Sequence, residues 1–186
     1  MTTDGNRLLD AYLVLAAKAG DRTAGEHLAR RWHRKLVAHA WRLTGDAEAA
    51  RDAAQAGWSE ILTGLDRLRD EHAFPAWAFR IVSRACAHQI GQAVRQRRLA
   101  DALAAEPVEA AQTAPDGDDE VQRLRTAIRA LSPEHRAAIA LFHFEELSVA
   151  EVAVALNIPL GTAKTRLMHA RRKLRLILEG NEDAQH

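Results

Sequence analysis

Residues 147–178 read LSVAEVAVALNIPLGTAKTRLMHARRKLRLIL, and this stretch predicts two helices joined by a tight turn. Ser148 and Glu151 have the S-x-x-E spacing of a capping box, which marks the start of the first helix. Asn157 tolerates the left-handed backbone conformation that ends a short helix, and the fixed φ of Pro159 suits the first turn of the next helix. The spacing therefore predicts a short helix that begins at Ser148 and a longer helix that follows Pro159.

The second of these helices has two different faces. Small and apolar residues recur at spacings of three and four and predict one buried stripe, formed by Ala163, Leu167, Ala170, Leu174 and Ile177 or Leu178. Between Leu160 and Leu176 there is no acid, and six basic residues stand at 164, 166, 171, 172, 173 and 175. A basic second helix after a tight turn is the helix-turn-helix pattern, whose second helix enters the DNA major groove. The alternative is an amphipathic helix of a bundle with a solvated face, but solvated faces usually mix charges of both signs.

Composition restricts the classes of function. The chain has 186 residues, 47% hydrophobic content and a net charge of +1, so it can bury one sizeable core or two small ones, and its overall charge indicates no partner. An aromatic content of 5% argues against a platform that stacks single-stranded bases. Cys86 is the single cysteine, which excludes an internal disulfide and favours a reducing compartment. We find no metal-ligand spacing, no cofactor motif and no catalytic constellation, and we expect a non-enzymatic protein.

The chain lacks an apolar run of membrane-spanning length and a signal-peptide layout at its N-terminus. We therefore expect a cytoplasmic protein without membrane insertion.

The first half of the chain reads as a series of helices. After a loose polar start over residues 1–7, apolar periodicity predicts helices over about 8–18, 23–43, 47–65 and 74–98. The last of these is strongly basic, because residues 72–100 contain five arginines and no acid. Trp77 begins its apolar face, where a lone aromatic residue is more often part of the core than a nucleic-acid contact.

The charge reverses in the next segment. Residues 101–120 hold seven acids and no Lys or Arg, together with two prolines and a glycine, which is typical of a flexible linker. Such a segment is either a solubilising tether or a segment that lies in a positively charged channel of a partner. A helix over 121–131, a new helix start at Ser132-Pro133-Glu134 and a core formed by Ile139, Leu141, Phe142 and Phe144 then lead into the helix-turn-helix. We predict an all-α protein with two small helical domains, 8–100 and 121–178, joined by the acidic linker 101–120.

Taken together, these motifs resemble the sigma factors of bacterial RNA polymerase. The residues 132–136, 151–153, 156–159, 161–167 and 170–174 resemble region 4, the domain of sigma-70 factors that binds the promoter −35 element. The residues 46–55, Trp58 and 74–81 resemble region 2 of the same family. The most similar type is the small extracytoplasmic-function (ECF) group, and the resemblance covers nearly the whole chain in the expected order.

The resemblance implies a role for particular residues. Arg51, Asp52 and Gln55 lie where the region 2 helix of the family docks on the clamp helices of the polymerase β′ subunit. The basic helix 74–98 is expected to face the −10 element through Trp77, Arg80, Arg84 and His88. The first helix of the helix-turn-helix, from Ser148, is expected to brace the DNA backbone. The residues expected in or beside the −35 major groove are Thr162, Lys164, Thr165, Arg166, His169, Arg171 and Arg172.

The resemblance also implies partners. They are core RNA polymerase, through its β′ clamp helices and its β subunit, promoter DNA, and an anti-sigma factor. The chain departs from the family pattern at several positions. Arg51 replaces an acid, and Arg84 and His88 replace an Asn and an Asp that serve −10 recognition in the family. Asn157 replaces a turn glycine, and Ala163 replaces a valine.

Two other functions remain open from the sequence. The chain could be a sigma-like interaction protein that sequesters a regulator of another sigma factor, which the unusual region 2 residues would permit. It could also be a free-standing helix-turn-helix transcriptional regulator. The intact basic helix is an argument against a protein that only sequesters a regulator. The helix with Asp52 and Gln55, together with the acidic linker, is an argument against a free-standing regulator.

Overall fold

The computed structural model describes residues 3–103 and 119–182, and this part of the chain contains helices and turns but no strand. The all-α prediction is confirmed. Four helices form an N-terminal module: α1 (Thr3–Lys18), α2 (Arg22–Thr44), α3 (Ala47–Gly64) and α4 (Phe74–Leu103). Four more form a C-terminal module: α5 (Asp119–Arg129), α6 (Pro133–Ile139), α7 (Val149–Leu156) and α8 (Leu160–Glu182).

Side-chain caps set the helix starts in both modules. The carboxylate of Asp21 accepts a hydrogen bond from Ala24 N at the start of α2, and Asp46 does the same for Ala49 N at the start of α3. Gly45, with φ of 74°, ends α2 in the left-handed conformation that glycine adopts at little cost. Short polar residues therefore begin α2 and α3, and a glycine ends α2.

An aromatic cluster organises the N-terminal module. The ring of Trp32 on α2 lies 5.2 Å from that of Phe74 and 5.5 Å from that of Phe79 on α4, both in edge-to-face geometry. All three side chains are buried. Because α2, α3 and α4 pack on one another through this cluster and Ile61, the outer faces of α3 and α4 are held in a fixed relation.

The beginning of the chain differs from the prediction. The loose start expected over residues 1–7 is wrong from Thr3 onwards, because α1 begins there. Its first turns are tied to the rest of the protein: Arg31 on α2 donates to Asp10 at 2.9 Å and to Asn6 at 3.4 Å. Arg7 makes a further contact to the C-terminal module. These partners come from distant parts of the sequence, so local periodicity gave no sign of them.

The segment between α6 and α7 also differs from the prediction. Residues Ala140–Phe144 form a π-helical turn that continues α6. Ile139 and Leu141 are buried as expected, and Phe142 is partly buried. Phe144 was expected in the core, but it is 43% exposed, and the guanidinium of Arg42 lies 4.5 Å from its ring centroid. The wider turn displaces Phe144 from the buried face.

The linker is described only at its ends. α4 continues to Leu103, three residues beyond the expected boundary at 100, and α5 begins at Asp119. Residues 104–118 of the predicted linker lie outside the described residues. The two modules are in contact, since α7 packs against α4 and α6 packs against α2. Their buried apolar residues form one continuous cluster.

Candidate nucleic-acid interface

The α7–α8 pair has the geometry that its capping residues predict. The Ser148 hydroxyl accepts a hydrogen bond from Glu151 N at 3.3 Å, and the Glu151 carboxylate accepts one from Ser148 N at 2.8 Å. Asn157 has φ of 54° and ψ of 47°, which is the left-handed region. The Pro159 carbonyl then accepts the first hydrogen bond of α8, from Ala163 N at 3.0 Å. The capping box and the turn are therefore both confirmed.

One face of α8 is buried and the opposite face is basic. Ala163, Leu167 and Ala170 are at most 3% exposed, and Leu174 is partly buried against the core. The expected −35 residues Lys164, Thr165, His169, Arg171 and Arg172 are all exposed, and Thr162 is half-buried. The exposed cations give α8 one positively charged face, which is suited to phosphate contacts.

Arg166 behaves differently from the other expected −35 residues. Its guanidinium lies 2.9 Å from the Glu134 carboxylate on α6, and its side chain is only 23% exposed. It lines a cavity of about 570 Å³ between the two modules, together with Arg84 of α4. In this arrangement the Lys164 side chain is exposed, whereas the Arg166 guanidinium is engaged by Glu134.

Arg171 is held against the π-helical turn. Its Nε donates to His143 Nε2 at 3.4 Å, and its guanidinium lies 4.8 Å from the Phe142 ring centroid. Desolvation, with a smaller effect of the Arg171 charge, lowers the pKa of His143. These two contacts fix the side-chain orientation of Arg171 at the edge of the basic face of α8.

The expected −10 residues lie along α4 in different surroundings. Trp77 is half-buried, and its ring centroid is 6.1 Å from that of Phe74, so its ring is mainly a packing element. Arg80 and His88 are exposed. Arg84 is exposed but forms an ion pair with Glu60 of α3. The structure thus brings Arg80, Arg84 and His88 to the surface of one helix.

The expected polymerase-binding residues share one helix. Arg51, Asp52 and Gln55 are all exposed on α3. Gly57, two residues after Gln55, is buried where α3 packs closely on α4. A Cβ at this position would lie 2.6 Å from Val82 Cγ2. The inner side of α3 is therefore packed against α4, while its outer side is exposed to solvent.

Two family models match the chain in the order of these modules. The model of sigma-70 region 2 matches residues 28–98, and that of sigma-70 region 4 matches residues 121–174. The ECF RNA polymerase sigma factor SigM of Mycobacterium tuberculosis H37Rv is 32% identical over 172 residues, which is 91% of this chain and 84% of SigM. The chain belongs to the ECF sigma factors.

Further relatives agree with this assignment. The RNA polymerase sigma-H factor of Pseudomonas aeruginosa is 26% identical over 178 residues, covering 89% of this chain and 91% of that protein. Among solved structures, the sigma factor RpoE of Bartonella quintana, in complex with the anti-sigma factor NepR, superposes with a TM-score of 0.68 at 25% identity. The match covers 83% of this sigma factor and 96% of RpoE.

Contacts between the modules are the part of this sigma factor that sequence reasoning missed. Arg7 of α1 donates to the Glu151 carboxylate at 2.8 and 3.2 Å. Arg42 of α2 donates to the carboxylate of Glu145, which is 6% exposed. These partners are 144 and 103 positions apart in sequence, and no local pattern connects them.

The pKa values of Glu145 and Glu151 are shifted in opposite directions. Burial raises the pKa of Glu145, and the Arg42 charge offsets this effect only in part. Burial also acts to raise the pKa of Glu151, but hydrogen bonds from Ser148 and Arg7 outweigh it, so its pKa is lowered. Glu151 therefore has two roles, as the second half of the capping box and as the partner of Arg7.

His39 is a second group that the sequence did not single out. It is fully buried in α2, where its Nε2 lies 2.9 Å from the Ser83 hydroxyl of α4 and its ring contacts Phe79. Burial and the nearby Arg42 charge lower its pKa to about 3. This histidine is a neutral core residue that links α2 to α4.

Metal sites and membrane spans are both absent from the described part of this sigma factor. Within residues 3–103 and 119–182, no group of three or more His, Cys, Asp or Glu side chains could hold a metal ion. No helix in the same ranges combines the length and the apolar character needed to cross a bilayer.

Proposed function

We propose that this sigma factor directs promoter-specific transcription by carrying core RNA polymerase to −10 and −35 elements through the residues described above. The observation that carries the proposal is the exposed basic face of α8 on a correctly capped helix-turn-helix, in a chain that also contains region 2. A free-standing regulator would need the helix-turn-helix alone. The site of action is the cytoplasm, where core polymerase and DNA meet.

Recognition of the −35 element is proposed to combine two kinds of contact. Arg171 and Arg172 bind phosphates, which gives affinity that depends on salt but not on sequence. Lys164, near the start of α8, is placed to contact a base edge or an adjacent phosphate; a good base contact contributes about 1–3 kcal/mol of discrimination. Arg166 would join it only after its ion pair with Glu134 is broken.

Polymerase binding is assigned to the outer side of α3. The exposed Asp52 and Gln55 are the residues that we propose contact the β′ clamp helices, with Arg51 beside them. Tethering to polymerase makes the −35 contact intramolecular and so supplies affinity that the C-terminal module lacks alone. An anti-sigma factor is a further proposed partner, supported by the fold shared with RpoE, which was solved with NepR.

The experiment that tests the proposal is selection of promoters from a random DNA library with core polymerase, followed by run-off transcription. A sigma factor yields transcripts that depend on both the protein and the selected sequence. A protein that only sequesters a regulator yields none, and a free-standing regulator selects DNA equally well without polymerase. Either of the last two results would refute the proposal.

Two variants assign the surfaces separately. Lys164→Ala with Arg166→Ala should abolish dependence on the −35 sequence while leaving capture of core polymerase unchanged; Arg125→Ala, an exposed cation of α5, is the control. Asp52→Arg should weaken capture of core polymerase and leave −35 binding by the C-terminal module unchanged; Asp66→Arg, an exposed acid beyond α3, is its control. Loss of polymerase capture in the first variant, or normal capture in the second, would overturn the assignments.

A further inference from the structure

The cavity between the two modules has the size of a ligand site. Its volume is about 570 Å³, and sites that bind small molecules usually measure about 300–1,000 Å³. Helices of both modules contribute to its wall: Arg84 and Cys86 belong to α4, Glu134 to α6 and Ala155 to α7. A small molecule in this space would therefore contact side chains from several directions.

One part of the cavity wall is apolar. Leu43 and Ala155 are buried, and Ile90 and Leu156 are half-buried. A ligand with an apolar body gains affinity against such a wall, because each methylene group that leaves water increases binding about fourfold. The apolar wall therefore selects for a hydrocarbon chain or ring.

The other part of the wall is basic. The guanidinium groups of Arg80, Arg84 and Arg166 line the cavity, and Glu134 supplies the only carboxylate among the described lining residues. Three cations and one anion give the lining a formal charge of +2, which favours an anionic ligand. Guanidinium groups bind carboxylate and phosphate oxygens through two parallel hydrogen bonds, so either anion is suited to this wall.

Arg80 is the cation that an anion reaches at least cost. Arg84 is paired with Glu60, and Arg166 is paired with Glu134. Among residues 3–103 and 119–182, no carboxylate lies within ion-pair distance of Arg80. Arg84 stands four residues further on the same face of α4 and adds a second positive charge. An anionic head group can therefore bind Arg80 without first breaking an ion pair.

The other polar groups near the head-group position are uncharged. Burial raises the pKa of the Cys86 thiol to about 12, so the thiol stays protonated at neutral pH and is a poor nucleophile. The Ser83 hydroxyl lies 2.9 Å from His39 Nε2 and is engaged there. These groups neither repel an anion nor attack it, so the ligand is held without a covalent bond.

We propose that this cavity binds a small amphipathic anion, which has a carboxylate or phosphate head group on an apolar body. The head group lies against Arg80 and Arg84, and the apolar body lies along Leu43, Ile90 and Leu156. The site is separate from the proposed polymerase face of α3. It goes beyond the proposed function and does not depend on it.

The test is isothermal titration calorimetry of the full-length protein with decanoate. Octanoate has a chain shorter by two methylene groups and should bind up to about fifteenfold more weakly. 1-Decanol keeps the chain but lacks the charge, and it should bind about tenfold more weakly than decanoate. Decyl phosphate distinguishes the head groups: tighter binding than decanoate assigns the site to phosphates, and weaker binding assigns it to carboxylates.

Two variants with matched controls locate the binding. Ala87→Trp fills the cavity from an exposed position of α4 and should abolish decanoate binding. Ala93→Trp makes the same change at an exposed position of α4 outside the lining and should bind decanoate like wild type. Arg80→Gln should lower the affinity for decanoate about tenfold and leave that for 1-decanol unchanged. Its control is Arg95→Gln, an exposed arginine of the same helix outside the lining.

Each possible result supports or overturns the site. Equal affinity of Ala87→Trp and Ala93→Trp for decanoate would place binding on an exposed surface, such as Leu8, Tyr12 and Leu15 of α1, and would overturn the cavity as the site. Equal affinity of wild type for decanoate and 1-decanol would overturn the anionic head group. If circular dichroism shows that Ala87→Trp does not fold, the selective effect of Arg80→Gln decides. Failure of the wild type to bind either anion would overturn the proposal, whereas promoter-dependent transcription would be unaffected by that result.

Discussion

The contact of α3 with α4 determines how the proposed polymerase face is placed relative to the proposed −10 helix, and Gly57→Ala tests it. A Cβ at Gly57 would lie 2.6 Å from Val82 Cγ2, whereas carbon atoms in contact are normally about 3.5–4.0 Å apart. Val82 is fully buried, and its β-branched side chain is restricted in χ1, so it cannot move aside cheaply. The helices must therefore move apart or accept strain.

Two opposing effects determine how much Gly57→Ala changes the free energy of unfolding. Replacing glycine by alanine inside a helix stabilises it by about 1 kcal/mol, while overpacking a close contact costs about 1–3 kcal/mol. Gly91→Ala in α4 is the matched control, because a Cβ there has nothing within 4 Å. Both variants share the helix gain, so the free energy of unfolding of Gly57→Ala should be lower than that of Gly91→Ala by about 1–3 kcal/mol.

The assay is urea unfolding followed by circular dichroism, with core polymerase capture measured in parallel. Val82→Ala should cost less in the Gly57→Ala background than in wild type, because the new methyl group fills part of the space that is vacated. If Gly57→Ala is as stable as Gly91→Ala, the close contact between α3 and α4 is not present in solution and the reasoning fails.

Two further predictions concern stability. The unfolded chain protonates His39 near pH 6.5 but the folded protein only near pH 3, so the stability from this site is full above pH 6.5 and is lost as the pH falls towards 3. Urea unfolding at several pH values should show that His39→Gln loses up to about 1.4 kcal/mol less stability per pH unit than wild type in this window; equal slopes would contradict a neutral buried His39. Ser148→Ala removes the hydroxyl that caps α7 and should lower the free energy of unfolding by about 1 kcal/mol, whereas Ser148→Asp should retain most of it. Equal stability of both variants would contradict the capping role.

Much of the helix-turn-helix could be predicted from the sequence because its signals are local. The capping box at Ser148, the left-handed Asn157 and the stripe through Ala163 and Leu167 each depend on residues within a few positions of one another. The structure contains all of them. The start at Thr3 and the exposed Phe144 were not predictable in this way, because they depend on Arg31, Arg42 and other partners from distant helices.

The candidate site also combines features that the sequence predicts with features that depend on distant residues. The basic face of α8 can be read from spacing, since any helix over these residues must place Lys164 and Arg172 away from the apolar stripe. The ion pairs of Arg166 with Glu134 and of Arg84 with Glu60 could not be predicted from spacing. A long, flexible side chain can reach several partners, and only the packed helices determine which of them lies near. The role of Asp52 and Gln55 as a polymerase contact stays a prediction.

Most helix boundaries, the two-module order and the sign of charge on the face of α8 were encoded in the chain itself, since they follow from backbone preferences and from periodicities of a few residues. The way in which the modules close on each other was decided by tertiary structure alone. The ion pairs of Arg7 with Glu151 and of Arg42 with Glu145 join residues more than a hundred positions apart, and only the packed helices leave the Glu145 side chain 6% exposed beside Arg42. No local preference encodes such a contact, because its energy exists only after the helices have assembled.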